Sequence, residues 1–112
     1  MSAGTYNLVV DQGSSFALDL AIKQAGLDLD LTNYTGRAQL RTTHISGSVA
    51  ATFTVTTTNA SAGTLKLELS PATTAALAPG QYVYDLEIYT SNDAIVKRIL
   101  QGEVTLTPEV TR

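Results

Sequence analysis

The chain has 112 residues, 44% of them hydrophobic and 15% charged, with a formal net charge of -3. That length and balance suit one globular domain with its own core, and they exclude a disordered chain. The slight acidity argues against a nucleic-acid partner, the absence of cysteine removes disulfides, thiolate metal sites and thiol catalysis, and no apolar run approaches the ~20 residues of a membrane helix.

The opening Met1-Ser2-Ala3-Gly4-Thr5 shows no basic segment followed by an apolar run, so no signal peptide is read and release into a cytoplasm is expected. A first strand is predicted over 6–10, ended by the turn cluster Asp11-Gln12-Gly13. A second runs over 15–23, where Phe16, Leu18, Leu20 and Ile22 alternate with Ala17, Asp19, Ala21 and Lys23. Ala25-Gly26 breaks it. Leu27, Leu29 and Leu31 then alternate with Asp28, Asp30 and Thr32, a short strand or an extended connection, and Asn33-Tyr34-Thr35-Gly36 reads as a turn. The segment 37–43 sets Ala38 and Leu40 against Arg37, Gln39 and Arg41, and 44–48 reads as a loop.

Val49, Ala51, Phe53 and Val55 are predicted to face inward, opposite Ala50 and the threonines at 52, 54 and 56, which suit a solvated strand face. Leu65, Leu67 and Leu69 do the same against Lys66 and Glu68, so the two runs form a hairpin. Ser70 as N-cap and Pro71 at the first helical position predict a short helical turn near 71–77, stopped by Pro79-Gly80. The clearest alternation follows: Tyr82, Tyr84, Leu86 and Ile88 on one face, Gln81, Val83, Asp85 and Glu87 on the other. Ser91-Asn92-Asp93 is a turn. An irregular run over 95–101 and a regular one over 104–107 close the chain, with Gly102 between them marking a bulge or a close backbone approach and Pro108 ending the ladder.

About eight short strands at even spacing, each with one apolar face, predict an all-β immunoglobulin-like antiparallel sandwich in a single domain over 1–112; a small closed barrel is the alternative. Tyr82, two residues after Gly80, is expected to lock a corner by turning its hydroxyl onto an upstream backbone group.

No constellation for catalysis emerges. His44 is the only histidine and has no partner at triad or metal spacing. Asp28, Asp30, Thr32 and Asn33 supply oxygens for a calcium ion, but the intervening leucines and the missing glycine depart from a calcium loop, so an exposed polar face is the reading preferred. Asp85 and Glu87 share a face without a third group. Arg37, Arg41 and Arg98 are read as a solvated face that could meet an acidic partner. Asn33-Tyr34-Thr35 and Asn59-Ala60-Ser61 match a glycosylation pattern by chance in a chain read as unsecreted. No enzyme, cofactor or metal is therefore expected.

Three phrases carry a family resemblance: 30–41 (Asp30-Leu31-Thr32-Asn33-Tyr34-Thr35-Gly36-Arg37-Ala38-Gln39-Leu40-Arg41), 80–87 and 102–112. With them the chain resembles the N-terminal β-sandwich domain of upper baseplate proteins of tailed phages, and related short stand-alone phage structural proteins. The resemblance implies a virion protein, made in a host bacterial cytoplasm, that docks on other phage structural proteins of the tail, neck or capsid in a homo-oligomeric ring or lattice, with no nucleic-acid or membrane partner. Because the chain stops at Arg112, an adaptor, collar or decoration role is expected over one with a receptor-binding head. Strand addition is the expected contact mode, with candidate interface residues Tyr6 and Val10 in the first strand, Val104 and Leu106 in the last, and Glu109, Val110 and Arg112 in the tail. The rival class is a carbohydrate-binding module built on Tyr34 and Tyr89, disfavoured by the lack of tryptophan.

Overall fold

The computed structural model describes residues 4–24, 26–43 and 49–110. Ten strands and one helix follow in order: β1 (Gly4–Thr5), β2 (Leu8–Asp11), β3 (Phe16–Ala21), β4 (Lys23–Gln24), β5 (Leu27–Asp28), β6 (Thr35–Arg41), β7 (Ala51–Asn59), β8 (Thr64–Leu69), α1 (Pro71–Ala76), β9 (Gly80–Tyr89) and β10 (Val96–Thr107). The fold is all-β. A single hydrogen-bonded path, β1-β10-β9-β6-β7-β8-β3, curls over on itself, while β4 and β5 form a small separate hairpin.

The curl is made by β7. Its first residues, Ala51–Phe53, pair with β6, and from Thr54 onward it pairs with β8. One strand thus belongs to both layers and closes one side of the sandwich. Between the layers lie Ala38, Leu40, Tyr84, Leu86, Ile88, Val104 and Leu106 from one and Leu65, Leu67 and Leu69 from the other, all buried. Phe53 stacks obliquely between Phe16 and Tyr84, with ring centroids 6.1 and 6.0 Å away. Side chains that alternate along a strand segregate by face, and only a second layer can cover the apolar one.

The pairing is mixed, a correction to the expected antiparallel sandwich. β1 and β2 both run parallel to β10, with Gly4 opposite Leu100 and Leu8 opposite Val104. Of the predicted strand over 6–10, the part from Leu8 on is β2, and Tyr6–Asn7 form the break that separates it from β1. Conversely, the two final runs are one strand. A bulge between Arg98 and Leu100 lets both Ile99 and Leu100 turn inward, which explains the faulty alternation there. Val49, expected inward, is exposed, and so is Leu27 on the β4–β5 hairpin.

The helix forms where the cap chemistry places it. Ser70 Oγ accepts from the Thr73 amide at 3.2 Å and Pro71 opens the first turn. The 3₁₀ turn Ser91–Asp93 holds Asn92 and Asp93 at positive φ, a conformation these two residue types tolerate. No helix among the described residues is long and apolar enough to cross a membrane.

Candidate functional site

The outer face of β6, β9 and β10 concentrates the charges, and register decides what they do. Arg37 stands opposite Glu87, which stands opposite Arg98. Arg37 Nε reaches Glu87 Oε1 at 3.0 Å and its Nη1 reaches Asp93 Oδ1 at 3.4 Å, while its guanidinium lies 4.4 Å above the Tyr89 ring. The hydrogen bond to Glu87 raises the Arg37 pKa further above its ordinary value. Arg98 Nε pairs with Asp85 Oδ2 at 3.3 Å, and Arg41 donates to Gln39 at 3.1 Å. The face therefore neutralises itself: Asp85 and Glu87 are ion-paired with arginine, and Arg37 and Arg98 already hold carboxylates of their own chain. An open trough of ≈ 240 Å³ lies on it, lined among others by Gln39, Arg41, Asp85, Glu87 and Arg98.

The sequence-level ligand candidates are placed just as plainly. Asp30 Oδ1 accepts from the Thr32 hydroxyl and amide at 2.6 and 2.9 Å, a local turn whose hydrogen bonds hold its carboxyl below the usual range. No cluster of three or more metal-ligating side chains forms among the described residues. His44 and Arg112 lie outside the described residues. Tyr34, like Tyr89, carries a cation over its ring, Lys97 at 5.6 Å. Each of the two tyrosines proposed as a sugar platform thus has a charged neighbour on one ring face.

What remains are the edges of the curled sheet. β7 closes one side, and the other stays open between two lips: β1–β2 on one layer and β3 on the other. Val10, Val104 and Leu106 present no side chain to a neighbour. They are buried in the core, and β10 is internal because β9 flanks it on one side and β2 on the other. Of the two runs expected to be edges, the first is one, since β2 has a ladder only on its β10 side, whereas the last is covered on both sides. Tyr6 (48% exposed) and Val9 (65% exposed) are what the N-terminal lip presents.

This lip is fastened by polar contacts the sequence does not advertise. Tyr82 makes the corner, its hydroxyl donating to the Ala78 carbonyl at 2.5 Å, with Gly80 at φ +147° in between. Tyr84, one position further along the same buried face, donates to the Tyr6 carbonyl at 2.5 Å. Burial, with the neighbouring Tyr6, pushes the Tyr84 pKa up to about 12. Asn7 Oδ1 accepts from the Glu103 amide at 3.0 Å. A buried phenol must find a partner, and that rule was the one available signal for Tyr84.

At the far end of β2, Gln12 Nε2 donates to the Leu77 carbonyl and its Oε1 accepts from the Glu109 amide, each at 3.0 Å. The hydroxyl of Thr74 (0% exposed) accepts from the Gly13 amide at 3.0 Å and faces the Ser14 carbonyl at 2.8 Å. Glu109 is thereby tied to the body, and the tail leaves it at Val110, which is 93% exposed.

No protein-family model and no curated protein matches the chain. Among solved structures it is similar to the N-terminal domain of phage TP901-1 ORF48, at 15% identity and a TM-score of 0.58, covering 95% of this chain and 98% of that one. It is also similar to part of InlP from Listeria monocytogenes, at 17% identity and a TM-score of 0.50, covering 94% of this chain but 28% of that one. At such identities the likeness is one of fold. The chain thus shares the fold of a phage N-terminal domain over 95% of its length, in agreement with the resemblance read from its sequence.

Proposed function

We propose that this chain is a bacteriophage virion structural protein that works by docking on other structural proteins in a symmetric assembly, and that it is not an enzyme. The observation that carries the reading is the near end-to-end correspondence with the phage domain, over 95% of this chain and 98% of that one. The self-neutralised outer face supports it: charges used within the chain are poorly suited to activating a substrate. The tyrosine corner and the parallel first-to-last pairing support an immunoglobulin-like frame.

In this reading the open side of the sandwich and the exposed end at Val110 meet the neighbours, with main-chain groups giving affinity and alternate side chains giving selectivity. A tail, baseplate or neck position is favoured; decoration of the capsid shell is the alternative. Quantitative mass spectrometry of purified virions tests both. Tens of copies per particle are expected for tail or neck, and several hundred for the shell, on the order set by oligomer symmetry. Absence from the particle, together with failure of recombinant protein to bind virions or their parts, refutes the reading.

A further inference from the structure

The two lips of the open side are protected very differently. β2 is four residues long and ends against Gln12 and Glu109, whereas β3 has six residues and, among the described residues, its only ladder is with β8. The Ile22 amide donates to the Gly63 carbonyl at 2.8 Å, continuing that ladder. Antiparallel ladders alternate, so Phe16, Leu18 and Leu20 turn their main-chain groups toward β8, and Ala17, Asp19 and Ala21 turn theirs to the free edge. The side chains on the outer face are small, two methyl groups and one carboxylate, and edge strands so lightly guarded are templates for pairing. On the inner face Phe16, Leu18 and Leu20 are only partly buried, so the apolar layer is incompletely covered along this lip.

We propose that β3 is a self-pairing edge, on which two copies of this chain join antiparallel about a two-fold axis at Leu18. This inference stands on the edge geometry and does not need the virion reading. Only residues whose main-chain groups turn outward can exchange bonds across the axis, so the axis passes through a residue and not between two. An axis at Asp19 sets two carboxylates directly opposite. An axis at Ala17 or Leu20 leaves one end of the strand unpaired. At Leu18 every demand is met: Ala17 faces Asp19 of the second copy, Phe16 faces Leu20, and Leu18 faces its own equivalent. The partly buried row then runs unbroken across both copies. Because the axis stands perpendicular to the sheet, both inner faces lie on the same side and the two β1–β2 lips come side by side.

Sedimentation equilibrium over a concentration series, with three variants, tests this. Wild type is expected to dimerise. Ala17→Asp sets like charges opposite Asp19 at both symmetric positions and should weaken the dimer roughly tenfold or more; Ala17→Lys sets opposite charges there and should keep or tighten it. Circular dichroism and thermal midpoints show that both remain folded. Leu18→Cys introduces the only cysteine of the chain, and across a non-hydrogen-bonded pair the Cα atoms are ~4.5 Å apart, within disulfide reach. A covalent dimer on oxidation is expected. A wild type monomeric up to roughly 1 mM, the scale of weak association, overturns the proposal, as does equal behaviour of the two Ala17 variants or a Leu18→Cys protein that fails to cross-link.

Discussion

Gly102→Ala should detach the N-terminal lip. Gly102 lies on β10 opposite Tyr84, where Tyr6 and Asn7 cross between β1 and β2. A Cβ there would sit 2.2 Å from the Tyr6 carbonyl oxygen, 2.8 Å from its carbon and 3.0 Å from Asn7 Oδ1. The nearest two atoms are backbone and cannot swing aside, so the crossing must lift. Three hydrogen bonds depend on it: Tyr6 N–H to the Gln101 carbonyl at 2.9 Å, Glu103 N–H to Asn7 Oδ1, and the Tyr84 hydroxyl to the Tyr6 carbonyl. Two of these contribute ~1 kcal/mol each, and stranding the buried Tyr84 phenol costs ~1–3 kcal/mol. Alanine offsets ~0.5–1 kcal/mol through the entropy of the unfolded chain. The net expectation is a destabilisation of ~2–4 kcal/mol. Urea unfolding measures it, and amide exchange locates it: protection at 4–11 should fall well before that of β6 or β9. Because the same contact is lost twice, Gly102→Ala and Tyr84→Phe should be strongly non-additive. Stability within ~0.5 kcal/mol of wild type, the usual range of a surface change, with unchanged exchange over 4–11, would refute the reasoning.

Tyr84 also predicts an alkaline limit. Its folded pKa of about 12 stands above the ordinary ~10 of an unfolded tyrosine, so its contribution is whole below pH ~10 and is lost as the pH climbs toward 12. Wild type should lose ~2–3 kcal/mol more than Tyr84→Phe across that window, read from urea midpoints at stepped pH. Thr74→Val keeps shape but strands the part-buried Gly13 amide beside a fully buried side chain, and ~1–3 kcal/mol should go, measured by thermal unfolding. Ser70→Ala removes the helix cap at an expected ~1 kcal/mol, with the β9 strand unaffected in exchange.

Legibility followed the range of each interaction. The faces of β8 and β9, the Ser70-Pro71 helix start and the Tyr82 corner are set by residues within a few positions of one another, and each was readable. Pairing partners were not. Alternation tells which side of a strand is apolar but not which strand lies beside it, so the 104–107 run reads as an edge although β2 and β9 flank it, while the 6–10 run does lie at the edge. The bulge at Ile99 hid the continuity of β10 by turning two successive residues inward. The same limit applied to charge. Arg37, Arg98, Asp85 and Glu87 look like a surface awaiting partners until register sets them against one another.

The asymmetry of the open side carries the consequence for function. A domain without an enclosed site can still discriminate, provided its main-chain groups are offered at one edge and withheld at others. Here β7 removes one side by belonging to both layers, and the tyrosine, asparagine and glutamine contacts fasten the N-terminal lip to β9, β10 and the segments at Leu77 and Glu109. β3 receives no comparable fastening, and its outer row of Ala17, Asp19 and Ala21 places a single charge where strands that must stay apart usually carry several. Main-chain bonding alone would accept any extended segment. The position of that one carboxylate, off-centre from Leu18, is what separates the permitted register from the forbidden one, and a single methyl-to-carboxylate change at Ala17 should disfavour the permitted register as well.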